Sequence, residues 1–219
     1  MVDPGGLVPA HVLRTARALA DSTPFYAFVS TTAVYQDWRR PGTDESAATW
    51  PGRADEDGDP ADLAQLGPRK RGCELAVEQT YGVGASLIAR AGMIVGPHDN
   101  VGYLPWWLTR IAEGGRLIAP GDSANLVWID QDFLLSQGVH PWAELPLWIP
   151  DGPDTVGFWA VSGAKAQAAG LRGRPVAESV RDTWAWLRSG GEVRPVAGAM
   201  PIGLDRRKEQ RVLAAWDAN

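Results

Sequence analysis

The amino-acid sequence predicts an α/β protein in which helices cover a parallel β-sheet. Two short apolar runs, residues 25–30 and 85–90, are rich in β-branched, aromatic and other apolar residues, as buried parallel strands are. Around them, apolar residues recur at the three- and four-residue spacing of helices. Strands that alternate with helices indicate a layered α/β sheet.

The first helix follows Gly5-Gly6 and presents one apolar face. The residues of this face are Val12, Leu13, Ala16, Leu19 and Ala20. The stretch 40–62 is rich in Pro, Gly, Asp and Glu and is predicted to be a surface loop. We expect residues 25–31 and 85–90 to form adjacent parallel strands, with a helix over 68–81 packed across one face of the sheet.

The helix over 68–81 has one side formed by Lys70, Cys73, Val77 and Tyr81. Cys73 is the single cysteine of the chain, which excludes an internal disulfide. Because Cys73 shares a stripe with Val77, it is predicted to be a buried, inert thiol.

The second half of the chain continues the alternation of helices and short strands. The helix before Gly114-Gly115 is predicted to face inward through Leu104, Trp107, Leu108 and Ile111. Short strands are predicted over 116–119 and 126–129. A helix over 175–188 is expected to turn Val176, Val180, Trp184 and Leu187 inward, and a last helix covers 206–216.

Composition places the chain among ordinary globular proteins and argues against two classes of partner. Hydrophobic residues make up 45% of the 219 residues, and charged residues make up 21%. The net charge of -5, without a Lys/Arg run, argues against a nucleic-acid surface. No signal peptide and no apolar run of membrane-spanning length is present, so we expect a cytoplasmic protein without a membrane partner.

Searches for ligand-binding motifs give negative results. Gly82 and Gly84 precede a strand, and Gly5-Gly6 follows no predicted strand, so neither pair matches a dinucleotide-binding turn. The acidic stretch 55–59 resembles the start of a calcium loop but lacks the closing Glu. The three histidines are isolated from further ligands, and no metal site is predicted: they are His11, His98 and His140.

Three segments, in order, resemble the extended short-chain dehydrogenases/reductases of the NAD-dependent epimerase/dehydratase type. Residues 28–35, Phe-Val-Ser-Thr-Thr-Ala-Val-Tyr, are similar to the strand end that carries the catalytic hydroxyl. Residues 66–70, Leu-Gly-Pro-Arg-Lys, resemble the start of the active-site helix. Residues 87–97, Leu-Ile-Ala-Arg-Ala-Gly-Met-Ile-Val-Gly-Pro, resemble the following strand and its Arg-Pro-Gly…Gly-Pro loop, with Ala91 in place of the first Pro.

The resemblance implies a site with one central substitution. Thr31 falls on the catalytic hydroxyl position, and Lys70 falls on the Lys that lowers the Tyr pKa and holds the nicotinamide ribose. Leu66 stands where the family has the Tyr that transfers the proton. Loss of a general acid costs on the order of 10²–10⁴-fold in rate. The implied substrate-side residues are Ser30, Thr32, Arg90 and Trp107.

The implied fold is an incomplete Rossmann-like parallel sheet over residues 1–122, with a Trp- and Pro-rich, substrate-side part over 123–219. The family's first βαβ units, with their glycine-rich turn, have no counterpart, and a second gap lies near Gly121-Asp122. The family cofactor is NAD or NADP, but we expect the isolated chain to bind neither. Missing strands leave open sheet edges, which a second copy or a protein partner could cover.

Three functions stay open on the sequence alone. The chain is a family homologue without ordinary NAD(P) redox activity of its own, a repurposed non-redox enzyme that acts on a small molecule in the remnant cleft, or a non-catalytic binding protein. Whether the protein is an enzyme depends on the use of Thr31, Lys70 and Arg90.

Overall fold

A computed structural model describes residues 1–119, 126–195 and 200–219 of the chain. It divides into two compact units: the first comprises Met1–Met93 and Val156–Ala166, and the second comprises Ile94–Thr155 and Gln167–Asn219. A three-stranded parallel sheet and a two-stranded parallel sheet confirm the predicted α/β class. The predicted boundary at 122/123 and the gap near Gly121-Asp122 lie outside the described residues.

The elements follow the predicted alternation closely. In chain order they are β1 (Val2–Asp3), α1 (Pro9–Leu19), β2 (Tyr26–Thr31), α2 (Leu66–Tyr81), β3 (Ser86–Ala91), α3 (Tyr103–Ala112), β4 (Leu117–Ala119), β5 (Leu126–Trp128), α4 (Gln131–Ser136), α5 (Ala164–Ala168), α6 (Val176–Arg188) and α7 (Arg206–Asp217). Short 3-10 helices cover Thr32–Val34 and Leu63–Gln65. No helix in the described ranges is long and apolar enough to cross a membrane.

The sheet of the first unit has the order β1-β2-β3, with all strands parallel. Tyr26 pairs with Ser86 and Thr31 pairs with Ala91, so the prediction of two adjacent parallel strands is confirmed. β1 was not predicted, because two residues are too few to show a periodic pattern. As a result, Gly5-Gly6 does follow a strand, and the prediction that it follows none is wrong.

One face of this sheet is covered by α1 and α2. The buried cluster on this face consists of Val12, Leu13, Ala16, Tyr26, Phe28, Ala54, Cys73, Ala76 and Val77. On the other face the side chain of Leu87 is 53% exposed, and Ala89 is exposed beside it. The expectation that both apolar runs are buried strands is therefore correct for β2 and wrong for β3. As an edge strand, β3 buries only the side that contacts the helices.

The second unit is organised around a buried ion pair. Arg110 of α3 and Glu209 of α7 approach to 2.9 Å, and both side chains are buried. Arg110 also donates to the carbonyls of Gly114 and Arg116, and the amide of Ile118 in β4 donates to Glu209. Both charges are therefore paired and hydrogen-bonded, as buried charges must be.

The predicted inward faces of α3 and α6 are partly wrong, and this ion pair explains the error in α3. Ile111, predicted to face inward, is 55% exposed, while Arg110 beside it is buried. In α6, Val176 is 75% exposed, and Thr183 is the residue that is buried. A hydrophobic pattern cannot reveal a buried Arg, because its burial depends on acceptors from elements far away in the chain.

The predicted surface loop over 40–62 packs closely against the helices for part of its length. An added Cβ on Gly72 of α2 would lie 2.6 Å from the carbonyl oxygen of Arg53 and 2.7 Å from Cγ of Pro9. The amide of Ala10 donates to the carbonyl of Glu56. The stretch 52–56 therefore runs across α1 and α2 and connects them.

We expect Gly72→Ala to destabilise the protein. Overpacking strain of about 1–3 kcal/mol opposes a gain of about 1 kcal/mol in helix propensity, and the Arg53 backbone has little freedom to retreat. Urea unfolding should show a net loss in the free energy of unfolding. Gly84→Ala, where nothing lies within 4 Å, is the matched control and should unfold like the parent. Equal stability of the two variants would contradict this packing.

Candidate functional site

The site implied by the sequence lies around the carboxyl-terminal half of β2. Side chains alternate along this strand: Tyr26, Phe28 and Ser30 face the helices, and the partly exposed Thr31 faces the open side. The hydroxyl of Thr31 accepts a hydrogen bond from the amide of Ala33 at 3.2 Å and so begins the 3-10 helix Thr32–Val34.

Lys70 lies on the helix-covered face and is 5% exposed. Its ammonium donates to the carbonyl of Val29 at 2.7 Å and to the carbonyl of Gly6 at 3.0 Å, and it lies 4.2 Å from the centre of the Phe28 ring. Burial lowers the pKa of Lys70.

Lys70 donates a hydrogen bond to β2 at the point where β1 has ended. In β2, the backbone groups of Ala27 and Val29 point towards β1, since the amide of Ala27 donates to the carbonyl of Met1. β1 ends at Asp3, opposite Phe28. The Val29 carbonyl therefore lies beyond the last residue of β1, and Lys70 supplies a donor at this point.

The turn between β1 and α1 is closed by the chain's own carboxylate. Asp3 Oδ1 accepts hydrogen bonds from the amides of Gly5 at 3.1 Å and Gly6 at 3.0 Å, and Oδ2 accepts from the Tyr26 hydroxyl at 2.8 Å. Burial, together with the hydrogen bond to Asp3, raises the pKa of Tyr26. Both glycine amides of the turn before α1 are thus already bound to a carboxylate.

Arg90, a predicted substrate-binding residue, is held in an ion pair. Its guanidinium donates to both oxygens of the buried Glu74, at 2.9 and 2.8 Å, and lies 5.0 Å from the centre of the Tyr35 ring. Arg71 donates to the same carboxylate at 2.9 Å. The hydrogen bonds to Glu74 raise the pKa of Arg90. This pair joins α2 to β3.

The first residues of α2 contain no proton donor at the position where the resemblance implies one. Leu66 begins the helix, and the next residue, Gly67, lies against the Ala33 carbonyl and the indole of Trp50. The amide of Trp50 donates to the carbonyl of Val34 at 2.8 Å. The sequence did not predict that Trp50 lies here, and Gly67 leaves room for its indole.

The structure groups some of the predicted site residues and separates others. Ser30, not Thr31, shares the sheet face of Lys70, and its buried hydroxyl has no hydrogen-bond partner among the described residues. Thr32 is partly exposed in the 3-10 helix. Trp107 belongs to the second unit, where its indole donates to the Pro146 carbonyl at 2.8 Å.

Two open clefts in the first unit lie away from these residues. The larger, of about 500 Å³, is lined by Asp44, Glu45, Ser46, Ser162, Ala164 and Lys165. The smaller, of about 370 Å³, is lined by Leu13, Arg17, Gly52, Arg53, Ala54, Asp55, Leu75 and Gln79. Neither cleft is lined by the predicted catalytic pair, Thr31 and Lys70.

Metal and thiol chemistry find little support in the geometry. No group of three His, Cys, Asp or Glu side chains suited to a metal ion occurs within the described part of the chain. Cys73 is fully buried, and burial raises its pKa to about 12, so it is a protonated thiol at neutral pH. The sequence prediction that this thiol is buried is confirmed.

The fold and the site together define an α/β protein in which the conspicuous polar side chains of the first unit bind other parts of the same chain. Comparisons with protein-family models, with curated proteins and with solved structures find no match for this sequence.

We expect Lys70→Met to lower the free energy of unfolding by about 2 kcal/mol. The substitution removes a donor from two backbone carbonyls, each worth about 1–3 kcal/mol if left unsatisfied, and relief of the buried charge offsets part of this loss. Denaturant unfolding is the measurement. Lys165→Met, at an exposed position, is the control and should change stability by less than about 0.5 kcal/mol. A parent-like midpoint for Lys70→Met would show that the two hydrogen bonds contribute nothing.

Cys73 should make stability fall at alkaline pH. Its pKa is raised by burial from 9.0 to about 12, so the unfolded thiol ionises first as the pH rises. The stabilisation is complete below pH 9 and is lost between pH 9 and 12. The lowered pKa of Lys70 acts in the opposite direction. The informative quantity is therefore the stability difference between the parent and Cys73→Ala, which should shrink across this range. If the stability difference between the parent and Cys73→Ala stayed constant across this range, ionisation of Cys73 would not contribute to the loss of stability.

Proposed function

We propose that this protein is an epimerase/dehydratase-like homologue that does not carry out NAD(P) redox chemistry on its own. The observation that carries the proposal is the environment of Lys70. Its buried ammonium is bound by the carbonyls of Gly6 and Val29, while Leu66 stands at the position of the family's Tyr. The residue that would transfer the proton is thus replaced by Leu66. The residue that would hold the ribose, Lys70, is bound to two backbone carbonyls.

The tyrosines of the first unit offer no obvious replacement for the lost acid. The Tyr26 hydroxyl is bound to Asp3, and Tyr35 is buried beneath the guanidinium of Arg90. The hydroxyl of Tyr81 is buried as well. A general acid must reach the substrate oxygen within hydrogen-bond distance, and buried phenols cannot do so. This supports a protein without the family's proton transfer.

The residues around the β1–α1 turn do not fit a dinucleotide. A pyrophosphate site needs unoccupied amides at a helix amino terminus. Here the amides of Gly5 and Gly6, in the turn before α1, donate to Asp3, whose negative charge would also repel a phosphate. At the start of α1 itself, Pro9 has no amide hydrogen and the amide of Ala10 donates to the carbonyl of Glu56. The contact that the resemblance assigns to a nicotinamide ribose on Lys70 is made instead by the Gly6 carbonyl.

Protein binding is a second candidate function. It is favoured by the face of the sheet opposite α1 and α2, where the edge strand β3 exposes apolar side chains, Leu87 foremost. Exposed apolar surface can mark an interaction site, and Leu87 and Ala89 are exposed apolar residues two positions apart on this face. This candidate is independent of the redox proposal.

Cofactor binding tests the redox proposal directly. Isothermal titration calorimetry should detect no binding of NADH or NADPH to the full chain. Restoring the phenol with Leu66→Tyr should add neither binding nor oxidation of NADPH with aldehyde or ketone substrates, because the cofactor site is lacking as well. If a working cofactor site were present, the restored phenol should raise the rate of NADPH oxidation on the order of 10²–10⁴-fold. Micromolar binding to the parent, or such a gain in the variant, would overturn the proposal.

A further inference from the structure

The outer edge of β3 presents an ordered row of backbone groups. The amide of Tyr26 donates to the carbonyl of Ala85 at 3.0 Å, and the parallel register continues to Ala91. In such a ladder alternate residues face the neighbouring strand. The backbone groups of Ser86, Ile88 and Arg90 therefore point away from β2, and they have no backbone hydrogen-bond partner among the described residues.

This edge lacks the features that keep exposed strands apart. Natural edge strands carry charges, prolines or bulges that prevent pairing with another chain. Residues 83–93 contain no proline and a single charged residue, Arg90, whose charge is neutralised by Glu74. The register between β2 and β3 runs without interruption, so no bulge bends the strand.

We propose that the edge of β3 is the interface through which two copies of this chain pair as antiparallel strands. A two-fold axis beside Ile88 places Ile88 opposite its own copy and Ser86 opposite Arg90 of the second copy. Each outward N–H and C=O then meets an outward partner, as the hydrogen-bonded pairs of an antiparallel ladder require. Among antiparallel registers of β3 with itself, this one pairs all three outward residues within the strand.

The side chains support a second copy as the occupant. In this register Leu87 lies opposite Ala89 of the second copy, and the pair recurs on the other side of the axis. Both residues are exposed on the open face of the sheet, so pairing places apolar side chains together. Arg90 faces a serine and not another Arg90, so no like charges oppose each other. The strand is complementary to itself in hydrogen bonding, in apolar surface and in charge.

The inference deepens the protein-binding candidate and does not depend on the absence of redox activity. It is tested on the full chain by sedimentation equilibrium over a range of concentrations. The parent should be a dimer that dissociates on dilution. Leu87→Lys combined with Ala89→Lys places two lysines opposite two lysines in the proposed register, and the dissociation constant should rise at least about tenfold.

A charge-matched variant tests the register itself. Leu87→Lys combined with Ala89→Glu brings each lysine opposite a glutamate of the second copy, so this dimer should survive. All these changes lie on exposed side chains, which leaves the fold intact. Val83→Lys, at a 91% exposed position outside the strand, is the control and should behave like the parent. A double-lysine variant that dimerises as well as the parent would place the interface elsewhere and overturn the proposal.

Hydrogen exchange provides an independent measurement. The amides of Ser86, Ile88 and Arg90 should exchange slowly in the dimer and faster on dilution, by at least about tenfold. In the double-lysine variant they should exchange fast at every concentration. A parent that stays monomeric at high concentration refutes the pairing. Protection of these amides in such a monomer would mean that another segment of the same chain covers the edge, which also overturns it.

Discussion

The first unit depends on one buried cation. Lys70 brings its ammonium from α2 to the carbonyls of Val29 in β2 and Gly6 in the β1–α1 turn. An ammonium out of water is costly unless its hydrogen bonds are made, so its position is strongly constrained. β1 has only two residues and so makes few hydrogen bonds to β2. The hydrogen bond from Lys70 to Gly6 additionally fixes the turn that follows β1. The loop, the central strand and the helix are therefore held at one point.

A second polar network lies one turn further along the same helix, since Glu74 follows Lys70 by four residues. Glu74 accepts hydrogen bonds from Arg90 and Arg71, and Arg90 stacks on Tyr35. Removing one member would leave a buried charge without compensation, which is far more costly than losing an exposed ion pair. Under the proposed function, positions associated with chemistry have become positions that hold elements together. The contacts of these residues stabilise the fold whether or not any substrate binds.

Sequence reasoning succeeded where local periodicity controls structure. The strands β2 and β3, the helix carrying Cys73 and the terminal helix all follow from the spacing of apolar residues. It failed where a partner is remote. β1 is defined by its pairing with β2, and the burial of Arg110 depends on Glu209, 99 residues away. For the site, the resemblance singled out Lys70 and Leu66, and their role stays a prediction. The Lys70 acceptors lie 64 and 41 residues away, so no local motif contains them.

The two edges of the small sheet show what these constraints leave unsolved. On the β1 side, the strand is short, and Lys70 occupies the Val29 carbonyl just beyond its end. On the β3 side, a full-length strand ends the sheet with its outward backbone groups unpaired within the described residues. Water can satisfy those groups, but it cannot cover the apolar face beside them. Pairing with a second copy satisfies both the hydrogen bonds and the apolar surface, and for this reason the edge of β3 is the part of the fold best suited to association.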